Sequence, residues 1–187
     1  MTEMTKTRER IDEAEFIFDR LQEAVLDTRA FKAYLTSFLA LARSVTENVI
    51  QKEYAGNPNF RTWFDQKRTH FEQDPVMSFL QTVRNAAIKV QPIQLNRDVT
   101  IFVGECLRVS DSVELELTKA NGEVQRFRSP ELDKPPASNP EAKSETVWRF
   151  ADKPEWRVFD ICQHWLDELK KLNEECEKVF VAGGEGS

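Results

Sequence analysis

The sequence is poor in the residues that most covalent and metal chemistry needs. Its 187 residues include three cysteines and two histidines. Cys106, Cys162 and Cys176 form no C-x-x-C pair. Cys162 and Cys176 share one predicted helix and lie roughly 21 Å apart along its axis, beyond disulfide reach. His70 and His164 have no Cys or His at ligand spacing, so no structural zinc site and no metal or other cofactor are expected. No run of about 18 apolar residues exists, so no membrane-spanning helix is expected. The N-terminal stretch MTEMTKTRERIDEAEF is charged and has no apolar signal-peptide core, which makes a cytoplasmic protein the expectation. The net charge of -6 argues against general attraction to nucleic acid and leaves room only for a local basic patch.

What is present is helical periodicity. Ile11, Ala14, Phe18, Leu21 and Val25 step by three and four, predicting a first helix over 8–26. Asp27-Thr28 caps a restart. Phe31, Leu35, Phe38, Ala42, Val45 and Val49 form the stripe of a second helix over 29–53, widened by Tyr34, Leu39, Leu41 and Ile50 into a central, buried element. Gly56-Asn57-Pro58 breaks it, and Asn57 as cap with Pro58 at the first helical position starts a third helix. Asp74-Pro75 repeats that device for a fourth helix, 75–89, which ends before Pro92.

The period then changes to two. The stretches 98–109 and 113–117 read as strands, Asn121-Gly122 as a tight turn, 123–128 as the return strand and 146–150 as a short strand. Ser129 to Glu145 carries four prolines and reads as a mobile loop. Asp152-Lys153-Pro154-Glu155 opens a last helix, with Val158, Ile161, Trp165, Leu169, Leu172, Cys176 and Val179 as its stripe. Residues 183–187 read as a disordered tail, and Gly183-Gly184 within it is no phosphate loop, because no strand precedes it. The expected fold is mainly α: an antiparallel helical bundle with a small antiparallel β-sheet or hairpin inserted before the long C-terminal helix. As one domain, 1–182, it divides into a helical part (8–92), a β insertion (96–150) and a closing helix (152–180).

The candidate site is Arg84-Asn85, at the edge of the stripe Val76, Phe79, Leu80, Val83 and Ala87. A guanidinium there must be paired, or reach an interface or groove. Its planar fork suits a phosphate or a carboxylate, Asn85 adds a donor and an acceptor, and Lys89 adds a charge one turn on. The plainer reading pairs Arg84 with a carboxylate from helix one or two and lets Asn85 tie down a loop. His70, beside Lys67 and Arg68, is either a proton carrier or an exposed helix histidine. Cys162 and His164 point to different faces of a helix, which places Cys162 in the core. Phe60, Trp63, Phe64 and Phe71 could stack bases, with Lys67 and Arg68 on phosphates, but spacing at three and four favours a core face. Glu174-Glu175 reads as solvated helix surface.

Three segments, FKAYLTSFLALARSVTENVIQKEY, DPVMSFLQTVRNAAIK and WRVFDICQHWLDELKKLNEECEKVF, together resemble the helical HEPN superfamily. Many of its members are metal-independent endoribonucleases, often toxins or defence effectors, working across a homodimer. Their motif pairs an Arg and a polar residue with a following His. Arg84 and Asn85 match its first two positions, and the His would fall at 89, 90 or 91, which here hold Lys89, Val90 and Gln91. The imidazole that manages the proton is missing. The resemblance therefore implies a non-catalytic HEPN-like protein acting as a homodimeric interaction or binding module, packed through the second and fourth helices. Two alternatives stand beside it. One is a divergent metal-independent endoribonuclease using Arg84 and Asn85, with Lys89 or His70 supplying the proton. The other binds RNA without cleavage through Lys67, Arg68, Arg84 and Lys89.

Overall fold

The computed structural model describes residues 4–89, 93–103, 105–110, 115–118, 124–127 and 143–181; side chains at 86–89 and at the strand residues from 101 to 143 lie outside that description. Helices dominate, and small antiparallel sheets precede the last helix, as the periodicity predicts. The chain divides into two compact units, a discontinuous helical one (1–93 with 159–187) and an inserted one (94–158).

In the helical unit, α1 spans Lys6–Glu23, and Thr5 caps it by accepting from the Arg8 amide at 3.2 Å. Its first amides are also met from a distance. The Glu53 carboxylate accepts from the Lys6 amide at 2.7 Å and the Thr7 amide at 2.9 Å, and from the buried Thr7 hydroxyl. A carboxylate suits the positive end of a helix dipole and fills donors that lack intrahelical partners. Asp27 caps α2 (Thr28–Ser44), accepting from the Arg29 and Ala30 amides at 2.9 Å each.

The predicted helix over 29–53 is interrupted. Val45–Val49 is π-helical, and only then does a short α3 (Ile50–Glu53) follow. The run Ser-Val-Thr-Glu-Asn-Val is β-branched and hydroxyl-rich, so it holds the α ladder weakly. The Ile50 amide reaches back five residues to Val45 O. The Gln51 side chain donates to Thr46 O at 2.7 Å, taking up a carbonyl beside the widened turn.

α4 (Phe60–Gln73) starts two residues later than Asn57-Pro58 predicts. Asn57 accepts from the Asn59 amide at 3.0 Å, so it closes a turn, and Pro58 sits inside that turn. Asp74 performs as expected for α5 (Pro75–Lys89). Its carboxylate accepts from Val76 N at 2.7 Å and Met77 N at 3.2 Å. α6 (Val158–Phe180) closes the unit. Its stripe meets α1 and α2 through Phe159, whose ring lies 6.3 Å from Phe18 and 5.7 Å from Phe31, and through Trp165, edge-on to Phe38 at 6.1 Å. Lower down, Leu172 and Cys176 pack with Ile50, Tyr54, Phe60 and Phe64.

In the inserted unit, β1 (Leu95–Val103) and β2 (Glu105–Ser110) split the single stretch expected at 98–109 into an antiparallel pair. β3 (Leu115–Thr118) and β4 (Val124–Phe127) form a separate hairpin. Its predicted Asn121-Gly122 turn lies outside the described residues. β5 (Lys143–Phe150) and β6 (Lys153–Arg157) complete a sheet ordered β2-β1-β5-β6. β5 takes in Lys143 to Glu145, which the loop reading assigned to 129–145; residues 128–142 and the tail at 182–187 lie outside the described residues.

The stretch 153–157 was expected to open the last helix and is a strand instead. Pro154 suits the first turn of a helix, and it suits an edge strand equally, where a missing N–H costs no ladder bond. β6 is the sheet edge, and the Arg149 guanidinium fastens it by donating to Pro154 O at 2.9 Å while its Nε reaches Asp98 at 3.2 Å. The helix therefore begins at Val158.

Leu169 is fully buried on the inner face of α6, whereas Leu26 is 67% exposed. Leu169→Ala should lower unfolding free energy by about 2–5 kcal/mol. Leu26→Ala should stay within about 0.5 kcal/mol of wild type. Urea titration followed by far-UV circular dichroism measures both.

Candidate functional site

Arg84 and Asn85 are half-buried on α5, one turn beyond the buried Leu80 and two beyond the buried Met77. Asn85 does not tie down a loop. Its Oδ1 accepts from Arg43 of α2 at 2.6 Å and from Arg84 at 3.1 Å, so two guanidiniums meet on one amide oxygen. Among the described residues no carboxylate pairs with Arg84. The carboxylate of this corner is Glu47, on the π-helical stretch, and it pairs with Arg43. The corner thus holds two positive charges and one negative. The Nε atoms of Arg43 and Arg84 are buried and without a hydrogen-bond partner. A buried donor left unmet costs about 1–3 kcal/mol, so the corner is rich in donors and short of acceptors.

Arg43 was missed in the sequence, though a signal existed. It is the single charged residue between Lys32 and Glu47, in the middle of an apolar helix. A lone cation there must find a partner from another element.

The other candidates do not converge on this corner. Lys67 pairs with Glu175 of α6, which is therefore not merely solvated, and Lys67 also lies 5.7 Å above the Trp63 ring. Arg68 pairs with Glu72 one turn on, at 2.9 Å, both side chains being exposed. His70 is exposed on α4 with its ring 6.3 Å from Phe71. The side chain of Lys89 lies outside the described residues. Phe60 and Phe64 are buried, and Trp63 and Phe71 pack against the same cluster, so the aromatic face of α4 is core and presents no stacking platform.

His164 has a different role from any that its spacing suggested. Its Nε2 lies 2.8 Å from Asp74 Oδ2, linking α6 to the cap of α5. Burial raises the Asp74 carboxyl, but the His164 bond, the Met77 and Val76 amides and the His164 charge outweigh it, leaving the group below its ordinary value. Cys162 faces the interior, and burial pushes its thiol up. Cys176 is pushed up to about 12, chiefly by burial. Neither thiol is a nucleophile near neutral pH. Among the described residues no group of three His, Cys, Asp or Glu side chains is placed to hold a metal ion, and no helix is long and apolar enough to cross a membrane.

Next to the corner lies a cleft of ≈ 430 Å³. Arg43 and Glu47 belong to its wall, together with Phe64, Phe71, Met77 and Trp165. No family model matches the sequence, and no curated protein or solved structure matches it either.

Two outcomes test these assignments. Asn85→Leu removes the shared acceptor and should cost about 1–3 kcal/mol in a urea titration; Asn85→Asp, which places a carboxylate between the guanidiniums, should cost less. For Asp74, a folded-state pKa below the unfolded one gives stability that is present above the unfolded value and lost as pH falls through the folded one. The stability gap between wild type and Asp74→Asn should therefore close as pH drops below about 4. Denaturant midpoints across that range measure it.

Proposed function

We propose that this chain is a non-catalytic, HEPN-like helical module that binds a partner as a homodimer, with the Arg43–Asn85–Arg84 corner receiving an acidic group. One observation carries the reading: two guanidiniums share a single neutral acceptor, and the one carboxylate beside them, Glu47, pairs with Arg43. Such a corner carries more positive than negative charge, which suits a carboxylate or phosphate from outside the chain.

Cleavage of RNA needs a group that takes a proton from the attacking hydroxyl. His164 is engaged with Asp74, and His70 stands exposed beside Phe71. The positions that would follow Arg84 and Asn85 in a ribonuclease motif hold Lys, Val and Gln. Lysine at its ordinary pKa is protonated and takes no proton. These facts support binding over catalysis. The ion pairs at Lys67 and Arg68 weigh against an RNA-binding surface built on them.

Labelled single-stranded RNA incubated with the purified protein at high concentration should stay intact, for wild type and Arg84→Ala alike. Cleavage that disappears in Arg84→Ala would overturn the non-catalytic reading. Sedimentation velocity should give twice the monomer mass; a monomer at the highest soluble concentration removes the homodimer from the proposal.

A further inference from the structure

Asn85 Oδ1 stands between two guanidiniums, 2.6 Å from a terminal nitrogen of Arg43 and 3.1 Å from Nη1 of Arg84. Charged donors hold an anionic oxygen more strongly than a neutral one. The place an anionic oxygen would take is therefore already filled, and filled by a weaker acceptor. That place is open to water. Arg84 and Asn85 are half-buried, and the Arg43 side chain is 17% exposed. The buried Nε atoms need take no part.

The donors left by a displaced amide define what could replace it. Arg43 keeps one terminal nitrogen on Glu47 and would free only Nη1. Arg84 would free its Nη1, and its Nη2 makes no hydrogen bond among the described residues. Two of these three nitrogens lie side by side on Arg84, the fork that a carboxylate meets with both oxygens. One of those oxygens, in the place of Asn85 Oδ1, would also meet Arg43 Nη1. The charge agrees, because two guanidiniums against Glu47 leave one positive charge for one carboxylate to balance. Arg84 and Asn85 lie outside the lining of the neighbouring cleft, which suits a carboxylate presented on a protein surface over one carried by an enclosed small molecule.

We infer that Asn85 is a built-in competitor at this corner, and that a side-chain carboxylate of a partner protein binds Arg43 and Arg84 by displacing its amide oxygen. The inference rests on the acidic group proposed above for the corner and adds how that group is admitted. An incoming acceptor must break two hydrogen bonds before it makes its own. A neutral acceptor gains nothing by the exchange, so Asn85 confers selectivity for charge.

The test uses the full ¹⁵N-labelled chain at fixed ionic strength. Its probes are glutamate and glutamine, each capped as the N-acetyl N-methylamide, and dimethyl phosphate as a nucleic-acid backbone group. Capped glutamate should shift the amides of Arg43, Arg84 and Asn85 saturably, and capped glutamine should not. Dimethyl phosphate, a less basic acceptor, should bind more weakly than capped glutamate. Asn85→Ala removes the competitor and should bind capped glutamate about 5- to 10-fold more tightly than wild type, the worth of about one net hydrogen bond. Asn85→Asp supplies a carboxylate from within and should bind it at least about 10-fold more weakly. If Asn85→Ala does not fold, Asn85→Ser takes its place, because its hydroxyl stops one bond short of the amide oxygen; the same gain is expected. Binding by these variants equal to or weaker than wild type overturns the competitor role and leaves the corner reading standing. Absence of saturable shifts in wild type and in the variant overturns the corner reading itself. Equal binding of capped glutamine overturns the selection for charge, and tighter binding of dimethyl phosphate overturns the carboxylate.

Discussion

The return of α6 is the constraint on which the helical unit depends. The unit is discontinuous, and α6 closes it after 65 residues of inserted chain. Before α6 docks, α1, α2 and α4 each hold half of an interface. Phe18, Phe31 and Phe38 lack Phe159 and Trp165, while Ile50, Tyr54, Phe60 and Phe64 lack Leu172 and Cys176. Burial of that stripe supplies the apolar gain that both half-interfaces await. Polar contacts then set its register. Glu177 of α6 accepts from Thr5 and Asn173, His164 bonds Asp74, and Lys170 reaches Glu15 of α1 at 2.6 Å. Apart from the Asn173 bond, which lies within α6, these join α6 to a helix start or to α1, so a one-turn slip would break several at once.

The same logic explains why one carboxylate recurs in two duties. Asp74 meets two amides of α5 and an imidazole of α6. Glu53 meets two amides and a hydroxyl of α1 from the far end of the interrupted second helix. Both acids sit where a helix dipole is positive. They fix where helices begin relative to their neighbours, a task that apolar packing alone leaves loose. The guanidinium corner is built differently. Its acceptor is a neutral amide, which adds no negative charge to balance Arg43 and Arg84.

Much of the fold was legible because its main signal is local. The stripes of the helices, the Asp27 and Asp74 caps and the strand alternation each lie within one short window. The misses were places where one pattern has two readings and a distant partner chooses. Pro154 fits a helix start or an edge strand, and pairing with β5 decides. Asn57-Pro58 fits a cap or a turn, and the start of α4 at Phe60 decides. The π-helical stretch was hidden because its stripe residues Val45 and Val49 keep helical spacing even though the ladder between them is widened. In the candidate site, Arg84 and Asn85 were legible as an anomaly on an apolar stripe. Arg43 was not, since its importance lies in a bond 42 residues away. The pairing of His164 with Asp74 spans 90 residues and has no trace in spacing.

Those two long-range bonds explain how the interior tolerates its polar load. Arg43 enters an apolar helix because Glu47, four residues on, pairs with it from one side and α5 brings Asn85 from the other. Remove either, and a cation with one partner is left at the interface of two helices. If the amide is the one removed, α5 also loses its Arg43 bond to α2. The cation, its carboxylate and the amide therefore form one unit. A regular α-helix through 45–49 would rotate the residues beyond it by a fraction of a turn and shift Ile50 and Tyr54 against α6. The irregular backbone is thus coupled to the closing helix through Ile50 and Tyr54, and it carries Glu47, the carboxylate of the guanidinium corner.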